Sequence, residues 1–124
     1  MRIRRNRLNT FYLKKRISNK DKEGCSSESW DKAVPFVGEQ WPASGKVQAE
    51  QYGDRLNYIL NLKLDGEYEI ISEKQGSSFD FGNGLVFKER DGICIFVSNE
   101  SVPDYKIISI KPYRRQLKME LEKI

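Results

Sequence analysis

The stretch LNYILNLKL, residues 56 to 64, alternates apolar with polar side chains. Leucine or tyrosine occupies every even position, whereas Asn57, Asn61 and Lys63 occupy odd positions, with Ile59 as the exception. A period of two residues is typical of a β-strand that has one face on the core and the other in water. The stretch therefore predicts a half-buried strand with Asn61 and Lys63 on its solvent side.

The same rhythm returns near the C-terminus in QLKMELE, residues 116 to 122. Leu117, Met119 and Leu121 are expected to point inward, and Lys118, Glu120 and Glu122 outward. Two other segments, GICIFVS (92–98) and YKIISI (105–110), are apolar on both faces and rich in β-branched residues. Strands of this kind are usually covered on both sides.

The segments TFYLKKRI (10–17) and AVPFVGEQW (33–41) complete the set, and Pro35 indicates an edge strand or a bulge. RDG at 90–92 predicts a hairpin turn between LVFKE and ICIFV. The fold class predicted is all-β, a small antiparallel β-barrel or sandwich of about seven or eight strands. A chain of 124 residues suits a single domain spanning 1–124.

One short helix or long loop is expected between the second and third strands. The helix would span Gly45 to Tyr52, with Ser44 as N-cap and Gly53 as the residue that ends it. The Ser-Gly-Lys sequence here is not a phosphate-binding loop, because Gln40 stands where that loop needs a glycine and Val47 where it needs Ser or Thr. Polar segments 18–32 and 72–84 predict mobile loops.

The composition disfavours catalysis. The chain has no histidine, and its serines and carboxylates form no recognisable catalytic pattern. The two cysteines lie far apart in unlike contexts, so neither a disulfide framework nor a zinc site is indicated, and Cys94 is expected to be a buried small apolar residue. No apolar run is long enough to span a membrane. We expect an intracellular, non-enzymatic protein without cofactor or metal.

Charge is distributed unevenly along the chain. Residues 1–20 carry eight Lys or Arg and no acid, residues 21–110 carry nine bases and sixteen acids, and residues 111–124 carry five bases and two acids. Residues 1–9 are therefore expected to form a basic and flexible arm. The arm suits contact with nucleic-acid phosphates, or it is a solvated tail or pairs with the acidic body of a neighbouring subunit. The candidate contact residues are Arg2, Arg4, Arg5, Arg7, Lys14 and Arg16.

The order of these features resembles a known family. A basic strand YLKKRI, the segment WPASGK leading into EQYG, the strand NYILNLKL and the closing pair DYKIISIKPYRRQLKMELEK follow one another between residues 10 and 124. In this order they resemble the head-closure, or head-tail joining, proteins of tailed bacteriophages. The strongly basic first ten residues depart from that pattern.

The resemblance implies a small β-barrel that forms a ring below the portal and adaptor, helps to retain packaged DNA and docks the tail. It also implies that residues 42–56, the excursion, form a channel or intersubunit loop. Lys46 and Arg55 would then lie near DNA phosphates or acidic neighbours, with Gln48, Glu50 and Gln51 at subunit contacts. The candidate loop residues are Ser44, Lys46, Gln48, Glu50, Gln51, Tyr52 and Arg55.

The partners implied are copies of the chain, the portal, adaptor and tail proteins, and packaged DNA, with no membrane and no small-molecule substrate. Free subunits would be monomeric, in the host cytoplasm during assembly and afterwards in the virion. Two alternatives stay open. One is a β-barrel that binds nucleic acid by itself, which needs a basic face with exposed aromatic rings. The other is a tail-terminator or tube component.

Overall fold

The computed structural model describes residues 8–20, 26–74 and 76–124. Within these ranges the strands in chain order are β1 (Asn9–Lys14), β2 (Arg16–Lys20), β3 (Ser26–Trp30), β4 (Val34–Pro42), β5 (Ile59–Asp65), β6 (Glu69–Glu73), β7 (Gly76–Asp80), β8 (Val86–Phe87), β9 (Gly92–Cys94), β10 (Tyr105–Tyr113) and β11 (Gln116–Lys123). A helix α1 (Lys46–Tyr52) and a 3-10 segment (Gly53–Tyr58) separate β4 from β5.

Six strands close into an antiparallel barrel in the order β1-β4-β5-β11-β10-β9. The predicted small antiparallel barrel is therefore confirmed. Strands β2 and β3 form a separate two-stranded sheet, and β6, β7 and β8 form a three-stranded sheet. The helical segment lies between the second and third barrel strands along the chain, which is where the sequence predicts it.

The barrel interior is filled from alternate positions of its strands. The pairs Leu60 with Leu121, Leu62 with Met119 and Leu64 with Leu117 face one another across β5 and β11. Each of these six side chains is buried and belongs to one core cluster, so the inward positions predicted for them are confirmed, whereas those predicted for Leu56 and Tyr58 are not. Burial of a side chain of this size contributes about 1.5–3 kcal/mol.

The three-stranded sheet joins the same core through aromatic rings. Phe87 of β8 is fully buried, and its ring centroid lies 5.1 Å from that of Phe36 on β4. Phe81 packs edge-on against Phe87 at 5.6 Å. Since T-shaped ring pairs add to the free energy of burial, these contacts fix the small sheet on the barrel and extend one hydrophobic cluster over both.

The solvent face predicted for β5 is wrong. The strand begins at Ile59, so Leu56 and Tyr58 lie in the 3-10 segment, and Tyr58 is 56% exposed. Asn61 and Lys63 are buried although they point away from the core. Strands β4 and β11 flank β5 on both sides, and Gln48 of α1 contacts Asn61. The alternation correctly identified the inward positions from Leu60 to Leu64, but α1 covers the outward face at Asn61.

The hairpin predicted at RDG is also wrong. β8 pairs with β7, whereas β9 pairs with β1 and β10. Residues 88–91 instead carry the chain from the small sheet into the barrel, and the Asp91 carboxylate accepts a hydrogen bond from the Arg16 backbone N–H. The apolar run 92–98 forms a strand only over Gly92–Cys94, because beyond it the Asp104 carboxylate accepts the N–H groups of Ile95 and Phe96.

Both segments predicted to be loops contain strands. β2 and β3 pair over Arg16–Lys20 and Ser26–Trp30, and β6 pairs with β7 over Glu69–Glu73 and Gly76–Asp80. Backbone hydrogen bonds hold such hairpins together without an alternation of apolar side chains. Their polar sequences therefore give no sign that they form strands. Residues 21–25, which include Cys25, and residue 75 lie outside the described residues. The mobility expected there stays a prediction.

Two smaller expectations concern Pro35 and Cys94. Pro35 lies in the part of β4 that pairs with β1 alone, because the ladder to β5 begins at Glu39. The expected edge position is thus right locally, although β4 is part of a closed barrel. Cys94 is 1% exposed, which confirms its role as a small buried residue, and burial raises the pKa of its thiol.

Candidate subunit-contact surface

The excursion leaves the barrel at the end of β4 and forms α1 before the chain returns to β5. The predicted helix is confirmed to within one residue, but Ser44 is not its N-cap. Gly45 occupies that position with φ of 93°, a conformation that a side chain disfavours, and makes no side-chain cap. Gly53, with φ of 55°, ends the helix as predicted.

Gln48 fastens the helix to the outer face of the barrel. Its side-chain amide donates to Asn61 Oδ1 at 2.8 Å and to Glu120 Oε2 at 3.1 Å. Its Oε1 accepts from Asn61 Nδ2 at 3.2 Å and from the Ser44 backbone N–H at 3.1 Å. One side chain therefore connects the start of the excursion to both β5 and β11.

Glu120 is the carboxylate on β11 that attaches α1 to the barrel. It is 3% exposed, although it points outward from β11. Besides the hydrogen bond from Gln48 to Oε2, the carboxylate has the Lys111 ammonium 3.0 Å from Oε1 as an ion-pair partner and the Tyr52 hydroxyl as a neighbour, while Oε1 itself has no partner in hydrogen-bond geometry. We call Gln48, Tyr52, Asn61, Lys111 and Glu120 the polar clamp. A buried carboxylate with several donors is stable, whereas the same group without them would be costly.

The pKa values of the clamp follow from this geometry. Burial by itself raises the pKa of the Glu120 carboxyl, but the hydrogen bonds from Tyr52 and Gln48, with the neighbouring ammonium, outweigh burial and hold the pKa below its ordinary value. Burial and the hydrogen bond to Glu120 raise the pKa of Tyr52. Glu120 is therefore a carboxylate and Tyr52 a neutral phenol at neutral pH.

A second, more exposed set of contacts joins the 3-10 segment to the barrel. Arg55 Nε lies 2.6 Å from Glu122 Oε2, and Lys106 Nζ lies 4.0 Å from the other carboxylate oxygen. The hydrogen bond from Arg55 lowers the pKa of Glu122. The Arg55 guanidinium also lies 5.7 Å from the centroid of the Tyr52 ring. Because Arg55 is largely exposed, this set contributes less than the polar clamp.

The other predicted loop residues face solvent. Ser44, Lys46, Glu50 and Gln51 are exposed, and Val47 is 77% exposed between them. The seven candidate residues of the excursion are thus split. Gln48, Tyr52 and Arg55 engage the barrel of their own subunit. The other four, together with Val47, form an outward surface, which we call the outer face of the excursion: Ser44, Lys46, Val47, Glu50 and Gln51.

The candidate residues of the basic arm do not gather at this surface. Arg2, Arg4, Arg5 and Arg7 lie outside the described residues. Lys14 is the last residue of β1, and its ammonium donates to the Ser101 carbonyl at 2.8 Å. Arg16 begins β2, where its backbone N–H binds Asp91. Neither residue contacts the excursion through these bonds.

The anchoring residues on the barrel were not identified from the sequence. Asn61, Lys111, Glu120 and Glu122 occupy polar positions on strands, which a single sequence indicates only as solvent-facing. Nothing in the two-residue rhythm shows which outward positions a helix covers. The sequence places Gln48 and Tyr52 in the excursion, but only the fold shows that their partners are on β5 and β11.

Comparison of the chain with protein-family models, curated proteins and solved structures gives no significant match. Among the described residues, no group of three or more His, Cys, Asp or Glu side chains is placed to hold a metal ion. No helix in the described part of the chain is long and apolar enough to cross a membrane.

Proposed function

We propose that the chain is a structural subunit of the head-tail connector of a tailed phage or prophage. In this proposal copies of the chain form a ring below the portal and adaptor, help to retain packaged DNA and dock the tail. The subunit binds other proteins and turns over no substrate. It assembles in the host cytoplasm and ends in the virion.

The observation that carries the proposal is the excursion between the second and third strands of a closed barrel. Residues Lys46–Tyr52 form a helix clamped to the barrel through Gln48 and Tyr52. The clamp presents a defined surface, with Lys46 and Val47 directed to solvent. A fixed projection with one exposed aliphatic residue among charged ones suits a protein contact. The order of sequence features that resembles head-closure proteins supports the same conclusion.

Reconstitution tests this proposal directly. The purified chain is mixed with the portal and adaptor of the same phage and imaged by electron microscopy. We expect an added ring of density below the adaptor, and we expect Val47→Asp to prevent its formation, because a charge would be placed in the contact. A chain that folds but adds no density to the portal and adaptor would contradict the proposal.

The matched control is Val102→Asp. Val102 is 66% exposed and lies in the segment between β9 and β10, outside the excursion. The same change of side chain there should leave the ring intact. Tight, salt-sensitive binding of the free chain to DNA in a filter assay would instead favour a nucleic-acid-binding barrel.

A further inference from the structure

The hairpin of β10 and β11 ends in a basic segment. Residues 111–118 read KPYRRQLK, with four basic side chains and no acid. Strand β10 ends at Tyr113 and β11 begins at Gln116, so Arg114 and Arg115 form the turn. Residues 111–115 are all exposed. We call residues 111–118 the hairpin tip, and its composition suits contact with a polyanion.

Three lysines lie side by side on the outer face of the barrel at this tip. Lys111 lies opposite Lys118 across β10 and β11, and Lys118 lies opposite Lys63 across β11 and β5. Glu39 on β4 lies opposite Lys63 and ends the row. Since neighbouring strands are about 4.8 Å apart, the three lysines fall within about 10 Å. Like charges directly opposite one another destabilise a sheet, so this row brings the free subunit no benefit in stability.

The middle of the row differs from its ends in its partners. At the β10 end, the Lys111 ammonium lies 3.0 Å from Glu120 Oε1. Lys118 Nζ instead lies 5.7 Å from the centroid of the Trp41 ring, and among the described residues it has no carboxylate partner. The face of an aromatic ring attracts a cation but does not neutralise it. Lys118 therefore keeps its positive charge for an anion from outside the chain.

The turn places two arginines close to these lysines. Arg115 has a φ of 57°, a conformation that glycine adopts more readily than any residue with a side chain. Residues held in such conformations cluster at ligand-binding sites. The Arg115 guanidinium approaches Glu67 Oε1 at 3.7 Å, but both side chains are highly exposed, so this ion pair contributes little. Arg114 has no carboxylate partner in the described part of the chain.

The outward side chains of the hairpin tip are hydrogen-bond donors. Between the lysine pair and the turn lie the Tyr113 hydroxyl and the Gln116 amide, and the amide also donates to Asp65 at 3.1 Å. Lys, Arg, Tyr and Gln side chains are the usual donors to DNA phosphates. Duplex DNA carries one charge per about 1.7 Å of its axis, about twice the density of an extended acidic peptide. Cations about 5 Å apart on adjacent strands therefore suit the duplex better than the peptide.

We propose that the hairpin tip binds the phosphate backbone of duplex DNA, with Arg114 and Lys118 as the principal contacts. The inference rests on the proposed function for bringing DNA beside the subunit, and it adds a contact on β10 and β11 to those expected of the excursion. One copy offers few contacts and binds weakly, whereas copies held in a ring add their contacts along one duplex.

Fluorescence anisotropy of a labelled duplex of about 20 base pairs, titrated with the full-length chain at about 50 mM salt, tests the contact. We expect saturable binding that is equal for two unrelated sequences, because phosphate contacts carry no sequence information. Arg114→Gln combined with Lys118→Gln should weaken binding at least about tenfold and lower the slope of log affinity against log salt by about two. Both substitutions leave the basic arm unchanged, so contacts of the arm with DNA do not explain the difference.

The matched control combines Lys106→Gln with Lys123→Gln. Both lysines are exposed on the same two strands, about 17 Å along them from Lys111 and Lys118. The control removes the same charge, yet the affinity should stay within about twofold, because the distance exceeds the range of unscreened interaction. A polyglutamate peptide of the same total charge should displace the duplex poorly.

Three results would overturn the inference. They are equal weakening in the two double variants, displacement of the duplex by polyglutamate at equal charge, and no saturation up to about 1 mM chain. The second result would assign the hairpin tip to an acidic protein segment instead of DNA.

The outcome separates from that of the proposed function. If the substitutions at the hairpin tip weaken duplex binding but the chain adds no ring to the portal and adaptor, the DNA contact stands and the connector function fails. If the ring forms and those substitutions leave duplex binding unchanged, the connector function stands and the DNA contact fails.

Discussion

The inner and outer faces of β5 and β11 differ in how they hold the molecule together. The inner faces meet through aliphatic pairs such as Leu62 with Met119, with both side chains essentially inaccessible to solvent. On the outer faces, Asn61 and Glu120 bind the excursion through directional hydrogen bonds. The first kind of contact depends on area removed from water, and the second on hydrogen bonds and an ion pair made to buried polar groups. The barrel should therefore tolerate losses in the clamp better than losses inside.

The largest effect is expected from truncation inside the barrel. Leu117→Ala and Leu60→Ala should each lower the free energy of unfolding by about 2–5 kcal/mol, because each removes a buried side chain and leaves a cavity. Chemical denaturation monitored by circular dichroism measures the change. Leu117 is fully buried and Leu60 is 9% exposed, so Leu117→Ala should be the more severe. If Leu117→Ala lowered the free energy of unfolding less than Glu120→Gln does, the clamp and not the barrel interior would be the more important for stability.

Breaking the clamp should have an intermediate effect. Glu120→Gln keeps the shape but removes the charge that Tyr52 and Lys111 face, so we expect about 1–3 kcal/mol lower stability. Hydrogen exchange should accelerate in residues 46–52 more than in β5. Glu122→Gln, which affects the exposed Arg55 contact, should cost less. Uniform acceleration across the barrel would show that the excursion is not a separate unit.

Acid should loosen the clamp before the barrel interior. The pKa of Glu120 in the folded chain lies below the ordinary value of 4.5, so its stabilising contribution is fully present above pH 4.5 and is lost as pH falls through the folded pKa. Thermal melts between pH 7 and pH 3 should show a decline that is shallower in Glu120→Gln. An identical decline in both proteins would assign the acid sensitivity to other carboxylates.

The smallest effect on stability is expected at the outer face of the excursion. Lys46→Ala should leave the free energy of unfolding within about 0.5 kcal/mol, because the side chain is exposed. It should nevertheless weaken assembly with the portal and adaptor or the retention of DNA. If thermal melts showed Lys46→Ala to be as destabilised as Leu117→Ala, the Lys46 side chain would be needed for the fold, and its role in assembly would not be separate.

The sequence predicts the inward-facing positions of the barrel strands better than the contacts made by their outward-facing positions. Inward positions such as Leu62 and Met119 carry a signal because burial selects apolar residues at every second position. Glu120 carries no such signal, since a carboxylate on the outside of a strand looks the same whether water or Gln48 is its partner. The hairpin expected at RDG failed for a similar reason. Turn residues indicate that the chain bends, but not which strand it meets afterwards.

By itself, the sequence determined the all-β class, the inward faces of β5 and β11 and the position of α1. Each of these depends on local alternation or on a terminating glycine, which neighbouring residues specify. Only the tertiary structure decided that the barrel closes through β1 and β9, that β7 lies between β6 and β8, and that Gln48 and Tyr52 meet Glu120. Those pairs lie far apart in the chain, and their contacts form only once the backbone has brought distant strands together.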